Sequence, residues 1–133
     1  MNPYYPTVAL RAQHRCEYCH APEAMFNFFF EVEHIVPLAH GGGDEQANQA
    51  LACRSCNVFK SQHLVYTDPG TSQVAPLYHP RLDQWEAHFL LEPERGWILG
   101  RTSVGRATVD CLRMNSDAQL QARRQWIRLG VYP

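Results

Sequence analysis

The chain has 133 residues, 45% of them hydrophobic, which is enough for one compact unit or for a small motif with a subdomain. Its net charge of −1 does not by itself indicate a nucleic-acid binder. No apolar run approaches the roughly 18 residues of a transmembrane helix, and nothing at the N-terminus is typical of a signal peptide. We therefore expect a cytoplasmic protein without membrane contact.

Two Cys-x-x-Cys pairs, Cys16/Cys19 and Cys53/Cys56, mark the first half of the chain. Four thiolates on two turns satisfy the tetrahedral coordination of a structural Zn²⁺. The alternatives are two disulfides or a redox pair, but the partners in such a pair share one tight turn and the expected compartment is reducing. Because four thiols already fill the shell, we expect the neighbouring His20 to be a surface histidine.

The segment between the pairs is longer than a zinc ribbon requires. A ribbon needs roughly 15 to 20 residues there, whereas 33 residues, 20 through 52, separate these pairs. Its aromatic and β-branched part, Phe26–Val32, predicts a strand, and glycines at 41–43 predict a turn. A second short strand and a helix over Asn57–Leu64, with the second Cys pair at its start, complete the predicted order of strand, loop, strand and helix.

The residues that follow the first strand form a recognisable set. They read Glu33-His34-Ile35-Val36-Pro37, then Gly-Gly, then Asn48, then Cys-x-x-Cys-Asn-x-x-Lys. This order resembles the HNH endonuclease family, whose core is the ββα-metal (His-Me finger) motif, and it covers roughly residues 15–61. The resemblance implies an α+β fold clamped by the four-cysteine zinc site. It also implies hydrolysis of DNA, most simply double-stranded, that leaves a 5′-phosphate and a 3′-hydroxyl.

Each step of phosphodiester hydrolysis has a candidate residue in this set. His34 is the expected general base, because a neutral imidazole accepts a proton near neutral pH. Glu33 and Asn57 offer hard oxygen ligands for a catalytic Mg²⁺ or Mn²⁺. The resemblance implies that Asn48 orients the loop and the histidine through hydrogen bonds. We expect Lys60 to contact phosphate.

The resemblance leaves a geometric condition and a rival function. Adjacent side chains on a regular strand point to opposite faces, so Glu33 and His34 can act on one phosphate only if the strand ends or bends there. Pro37 makes such an end plausible. The rival is a non-catalytic zinc-binding module that recognises nucleic acid or a protein, with Glu33 and His34 as structural remnants.

The second half predicts a separate set of elements. Prolines and polar residues make 65–80 an irregular connection, after which 85–91 and 97–100 form a β-hairpin. Thr102-Ser103 offer the N-cap of a helix, and Asp117 is the expected cap of a last helix. We therefore divide the chain into a zinc-clamped nuclease core, 1–66, and a C-terminal extension, 67–133, made of a hairpin and two helices. This extension resembles that of a bacterial group of stand-alone HNH endonucleases, on the residues Leu77 to Arg81, Trp85, His88, Phe89, Gly105 to Thr108, Met114 and Asn115.

The extension also carries positive charge. Residues 95–133 hold seven arginines against two aspartates, a balance of +5, which predicts a footprint for a phosphate backbone. Arg81 and Arg106 are the candidate substrate contacts. We expect His79 and His88 to pack or to hydrogen-bond rather than to bind metal, and Cys111 to be a core residue.

Overall fold

The computed structural model describes residues 1–133 and has the expected α+β architecture. A short helix precedes the first Cys pair, and an antiparallel hairpin followed by a helix forms the centre of the first half. These elements are α1 (Tyr5–Arg11), β1 (Glu31–His34), β2 (Gln49–Ala52) and α2 (Arg54–Lys60).

The second half contains two further antiparallel hairpins and three helices. In chain order they are β3 (Val65–Thr67), β4 (Val74–Pro76), α3 (Trp85–His88), β5 (Phe89–Glu92), β6 (Trp97–Gly100), α4 (Ser103–Cys111) and α5 (Asp117–Arg128). None of these helices combines the length and apolarity needed to cross a membrane.

The β1–β2 hairpin sets the directions of the site residues. In its register Glu33 lies opposite Ala50 and His34 opposite Gln49. Because side chains alternate along a strand, Glu31 and Glu33 share the face covered by α2, and His34 lies on the other face. The sequence required the strand to end or bend near Glu33 and His34, and β1 does end at His34.

The first strand is shorter than predicted. The strand expected over Phe26–Val32 begins only at Glu31. The Phe30 N–H donates to the Glu23 carboxylate at 2.7 Å rather than to a neighbouring strand, and the Phe26 and Phe30 rings pack edge to face with centroids 4.9 Å apart. Aromatic packing and a side-chain acceptor thus replace the strand ladder in this segment.

The helix after the second Cys pair starts and ends earlier than the predicted Asn57–Leu64. It covers Arg54–Lys60, because the Cys53 side chain accepts from the Cys56 N–H and caps the first turn. Ser61 follows with φ +49°, a left-handed conformation that ends the helix.

The segment predicted as irregular, 65–80, contains the β3–β4 hairpin instead. Its turn is built by Asp68, whose carboxylate accepts from the Gly70 N–H at 2.8 Å and from the Thr71 hydroxyl at 3.0 Å. Strands of three residues are too short to show the alternating pattern that sequence analysis relies on.

The hairpin predicted from 85–91 and 97–100 is confirmed as β5–β6, but its first residues are helical. Trp85 starts the single turn α3, and its indole N–H donates to the Tyr18 carbonyl at 2.8 Å. Thr102 caps α4 as expected. The cap of α5 is Ser116 rather than Asp117, which occupies the first helical position.

Both halves of the chain contribute to one hydrophobic core. The 1–66 segment supplies residues such as Val8, Tyr18 and Leu51, and the 67–133 segment supplies others such as Phe89 and Leu112. The nuclease-like hairpin is therefore packed against the extension rather than tethered to it.

Candidate metal centre and active site

The four cysteines of the two pairs converge on one point. Cys16, Cys19, Cys53 and Cys56 are buried, carry no disulfide, and place their sulfurs within 4.8 Å of one another. The Cys19 and Cys53 sulfurs are 3.8 Å apart, which matches the edge of about 3.8 Å of a tetrahedron with Zn–S bonds of about 2.3 Å. The two disulfides considered as an alternative are absent from the structure.

The electrostatics of the cluster call for a cation at its centre. Hydrogen bonds from the neighbouring thiols lower the pKa of Cys19 well below its usual range. The same crowding, together with burial, raises the pKa of Cys56. Four ionised thiolates would repel one another at this spacing unless a dication neutralised them, so the donor set fits Zn²⁺.

The turn between the first two cysteines is tied to the hairpin. The Glu17 N–H donates to the Leu51 carbonyl at 2.8 Å, and the Leu51 N–H donates to the Glu17 carboxylate at 2.8 Å. Next to it, the Tyr18 hydroxyl donates to the Glu33 carboxylate. The metal cluster thus fixes the position of both strands that lead to the candidate active site.

His34 is half-buried at the end of β1 and has a carboxylate partner. Its Nε2 lies 2.9 Å from Oδ1 of Asp44. A carboxylate only accepts hydrogen bonds, so Nε2 carries the proton and the neutral ring keeps its lone pair on Nδ1. Asp44 was not among the predicted site residues. Its position directly after the three glycines of the turn was the signal in the sequence.

Asn48 holds the loop between His34 and Asp44 closed. Its amide oxygen accepts from the Val36 N–H at 2.8 Å, and its nitrogen donates to the carbonyls of Val36 at 3.0 Å and Gly43 at 2.8 Å. Gly42 lies against this crossing, where a β-carbon would overlap the Val36 carbonyl. Gly42 of the motif is therefore required by close backbone approach.

Glu33 lies in the interior, where Lys60 and Tyr18 bind its carboxylate. Burial raises the pKa of Glu33, while the Lys60 charge and the Tyr18 hydroxyl act in the opposite direction. The Lys60 ammonium donates to Glu33 Oε2 at 3.1 Å and to the carbonyls of His34 at 3.3 Å and Ile35 at 2.9 Å. An ammonium has three donors, so these three acceptors within the protein use all of them.

Asn57 faces the same strand one turn earlier on α2. Its amide nitrogen donates to Glu31, which is also 3.6 Å from the Arg54 guanidinium. Asn57, Glu33 and His34 line one surface groove, together with Val32, Pro37, Leu38, Ala39, Ser61 and Gln62. The structure therefore brings these three predicted residues together. It also places Glu31 beside Asn57, on the strand face that carries Glu33, because side chains two residues apart share a face.

The candidate substrate arginines are both in ion pairs. Arg81 pairs with Glu17, and Arg106 binds Asp68 through two hydrogen bonds of 2.9 Å. Arg123, counted in the positive tail, is fully buried and donates to the carbonyls of Gly96 and Met114, each at 2.7 Å. The balance of +5 thus overstates the positive charge that the extension presents to solvent.

The remaining histidines and Cys111 have structural contacts. His20 is not a free surface residue as expected, because its ring stacks on Trp85 at 4.2 Å and burial lowers its pKa. His79 accepts from two backbone N–H groups, and His88 lies 2.6 Å from the Thr102 hydroxyl, so both hydrogen-bond as predicted. Cys111 is buried, which raises its pKa to about 11.

Comparison with known proteins agrees with the geometry. Residues 16–63 match the family model described as HNH endonuclease, and this span includes all four cysteines of the cluster. No curated protein and no solved structure matched the chain. Residues 16–63 are therefore similar to the HNH endonuclease family, and a four-cysteine cluster that fits zinc brings the ends of this span together.

Proposed function

We propose that the protein is a metal-dependent endonuclease that hydrolyses phosphodiester bonds of double-stranded DNA. The observation that supports this most strongly is the pairing of His34 with Asp44 at the end of β1, where His34 lines a groove together with Glu33 and Asn57. The match of residues 16–63 to the HNH endonuclease model also supports this reaction class.

His34 acts as the general base in this proposal. Asp44 accepts from Nε2–H and fixes the tautomer, so Nδ1 takes the proton from the attacking water. Once the ring is protonated, the Asp44 carboxylate stabilises the imidazolium, and a correctly placed base of this kind contributes about 10²- to 10⁴-fold in rate. Asn48 and Gly42 act by holding the loop that carries Asp44.

A divalent cation would be held by Glu33 and Asn57. The Glu33 carboxylate has about four acceptor positions, of which Tyr18 and Lys60 use two. Asn57 bonds Glu31 through its nitrogen, which leaves its carbonyl oxygen for a ligand bond. This set of hard oxygens suits Mg²⁺ or Mn²⁺, which would supply charge stabilisation at the phosphate and the leaving oxygen.

Lys60 has a positioning role here. Its charge opposes the rise in the Glu33 pKa that burial causes, and its bonds to two carbonyls at and after the end of β1 fix the direction in which the strand ends. The ligand carboxylate and the base are thus held by one buried ammonium.

The proposal is tested by incubating supercoiled plasmid with purified zinc-loaded protein and EDTA, Mg²⁺ or Mn²⁺. We expect nicking or linearisation with Mg²⁺ or Mn²⁺ and none with EDTA, and we expect 5′-phosphate ends that a ligase can rejoin. Binding that is indifferent to the cation, with no cut product on plasmid, single-stranded or branched DNA, would instead support the non-catalytic recognition module.

A further inference from the structure

A second cavity lies beside the β1–β2 hairpin, at the end of α1. It has a volume of about 290 Å³ and is walled by Arg11, Arg15, Gln13, Glu17 and Tyr78, among others. It is separate from the groove that contains His34, with which it shares no lining residue.

Two of its arginines have no carboxylate partner. The Arg11 guanidinium donates to the carbonyls of Gln46 at 3.0 Å and Gln49 at 2.5 Å. Arg15 donates to the carbonyls of His20 at 3.2 Å and Val131 at 2.9 Å. Neutral carbonyls fix the direction of each planar fork without neutralising its charge.

A third guanidinium adjoins the cavity. Arg81 pairs with Glu17, which is the carboxylate on the cavity wall. The Nε of Arg81 is buried and has no acceptor. Burial and the positive charge of Arg11 lower the pKa of Arg81 to about 10. Three guanidinium groups therefore gather around one carboxylate, which leaves net positive charge beside the cavity.

The cavity is close to the candidate active site. The Gln49 carbonyl that binds Arg11 belongs to the residue opposite His34 in the hairpin register. The Gln49 side chain donates to the Asp44 carbonyl at 3.1 Å. Arg11 is thus separated from His34 by the width of the β1–β2 hairpin.

We propose that Arg11 and Arg15, with added positive charge from the adjoining Arg81, bind a backbone phosphate that flanks the one being cut. This inference rests on the proposed nuclease function. A phosphate is the anion that matches planar guanidinium forks through paired charge-assisted hydrogen bonds. It would bind the free donors of Arg11 and Arg15 at the cavity wall, and it would position the duplex along β2 relative to His34.

The test measures DNA binding without cleavage. Full-length, zinc-loaded protein carrying His34→Ala is titrated with a fluorescent duplex at several salt concentrations. Arg11→Gln and Arg15→Gln are then added singly, with Arg128→Gln as a control that removes the same charge from an exposed site on α5. Each lost phosphate contact should reduce the slope of log K against log salt by about 1.

We expect that decrease for Arg11→Gln and Arg15→Gln and a smaller one for Arg128→Gln, with zinc content unchanged. Equal slopes for all three variants would overturn the site, since the effect would be general electrostatics. A loss of zinc without a change in the DNA slope would also overturn it, because the arginines would then balance the thiolates next to Cys16. A protein that shows the expected slopes but never cuts DNA would retain this site and lose the nuclease proposal.

Discussion

Asp44 accepts a hydrogen bond from one ring nitrogen of His34. In the proposed mechanism this leaves the other ring nitrogen for the attacking water. Replacing Asp44 with Ala should lower the cleavage rate about 10- to 100-fold, as removal of an orienting carboxylate typically does. The measurement is the single-turnover cleavage rate of Asp44→Ala beside Glu45→Gln, an acid neighbour on the same exposed loop. Wild-type cutting by Asp44→Ala would show that the histidine is oriented by something else.

Replacing Lys60 distinguishes two roles for the lysine of the motif, which either holds the buried Glu33 or contacts phosphate. The Lys60 ammonium and the Glu33 carboxylate are both buried, so Lys60→Met leaves an unpaired acid whose pKa burial raises further. We expect a loss of about 3–5 kcal/mol in the free energy of unfolding, measured by urea titration. A phosphate-contacting lysine would behave differently, with unchanged stability and weaker DNA binding.

At the scale of elements, Asp68 and Arg106 dock the β3–β4 turn on α4. The Arg106 guanidinium lowers the pKa of Asp68 to about 2, below the value of about 3.9 in an unfolded chain. A carboxyl with a lowered pKa stabilises the fold above the unfolded value, and this contribution is lost as pH falls toward 2. The difference in melting temperature between wild type and Arg106→Gln should therefore be constant above about pH 5 and shrink toward pH 2. A constant difference at all pH values would contradict the assignment.

Sequence patterns predicted these elements unevenly. The grouping of Glu33, His34 and Asn57 in one groove agrees with the motif that these residues share with HNH endonucleases, which specifies their order and spacing. The direction of Lys60 was not predicted, because an inward lysine depends on a buried acid two elements away. The run around Phe28 has strand propensity, but Glu23 captures the backbone N–H that a ladder would use. Local propensity was overridden by tertiary contacts there.

At the scale of the whole molecule, the four cysteines of the zinc site are packed into the hydrophobic core. Cys16, Cys19, Cys53 and Cys56 belong to the same hydrophobic cluster as Leu112 and Trp126 of the extension. Structural zinc contributes about 10–16 kcal/mol in small metal-dependent domains. We expect chelation to unfold both halves together, as followed by near-ultraviolet circular dichroism, and equimolar Zn²⁺ to restore the signal. Retention of the native signal after complete zinc removal would show that the core is independent of the metal.

The most direct test of the central claim is plasmid cleavage by His34→Ala and His40→Ala, with bound zinc measured in both. His40 is an exposed histidine six residues further along, so its replacement controls for loss of an imidazole near the site. The account predicts that His34→Ala loses most Mg²⁺- or Mn²⁺-dependent cleavage while keeping its zinc and its fold, and that His40→Ala cuts normally. Cleavage by His34→Ala at the wild-type rate would contradict the assignment of the general base.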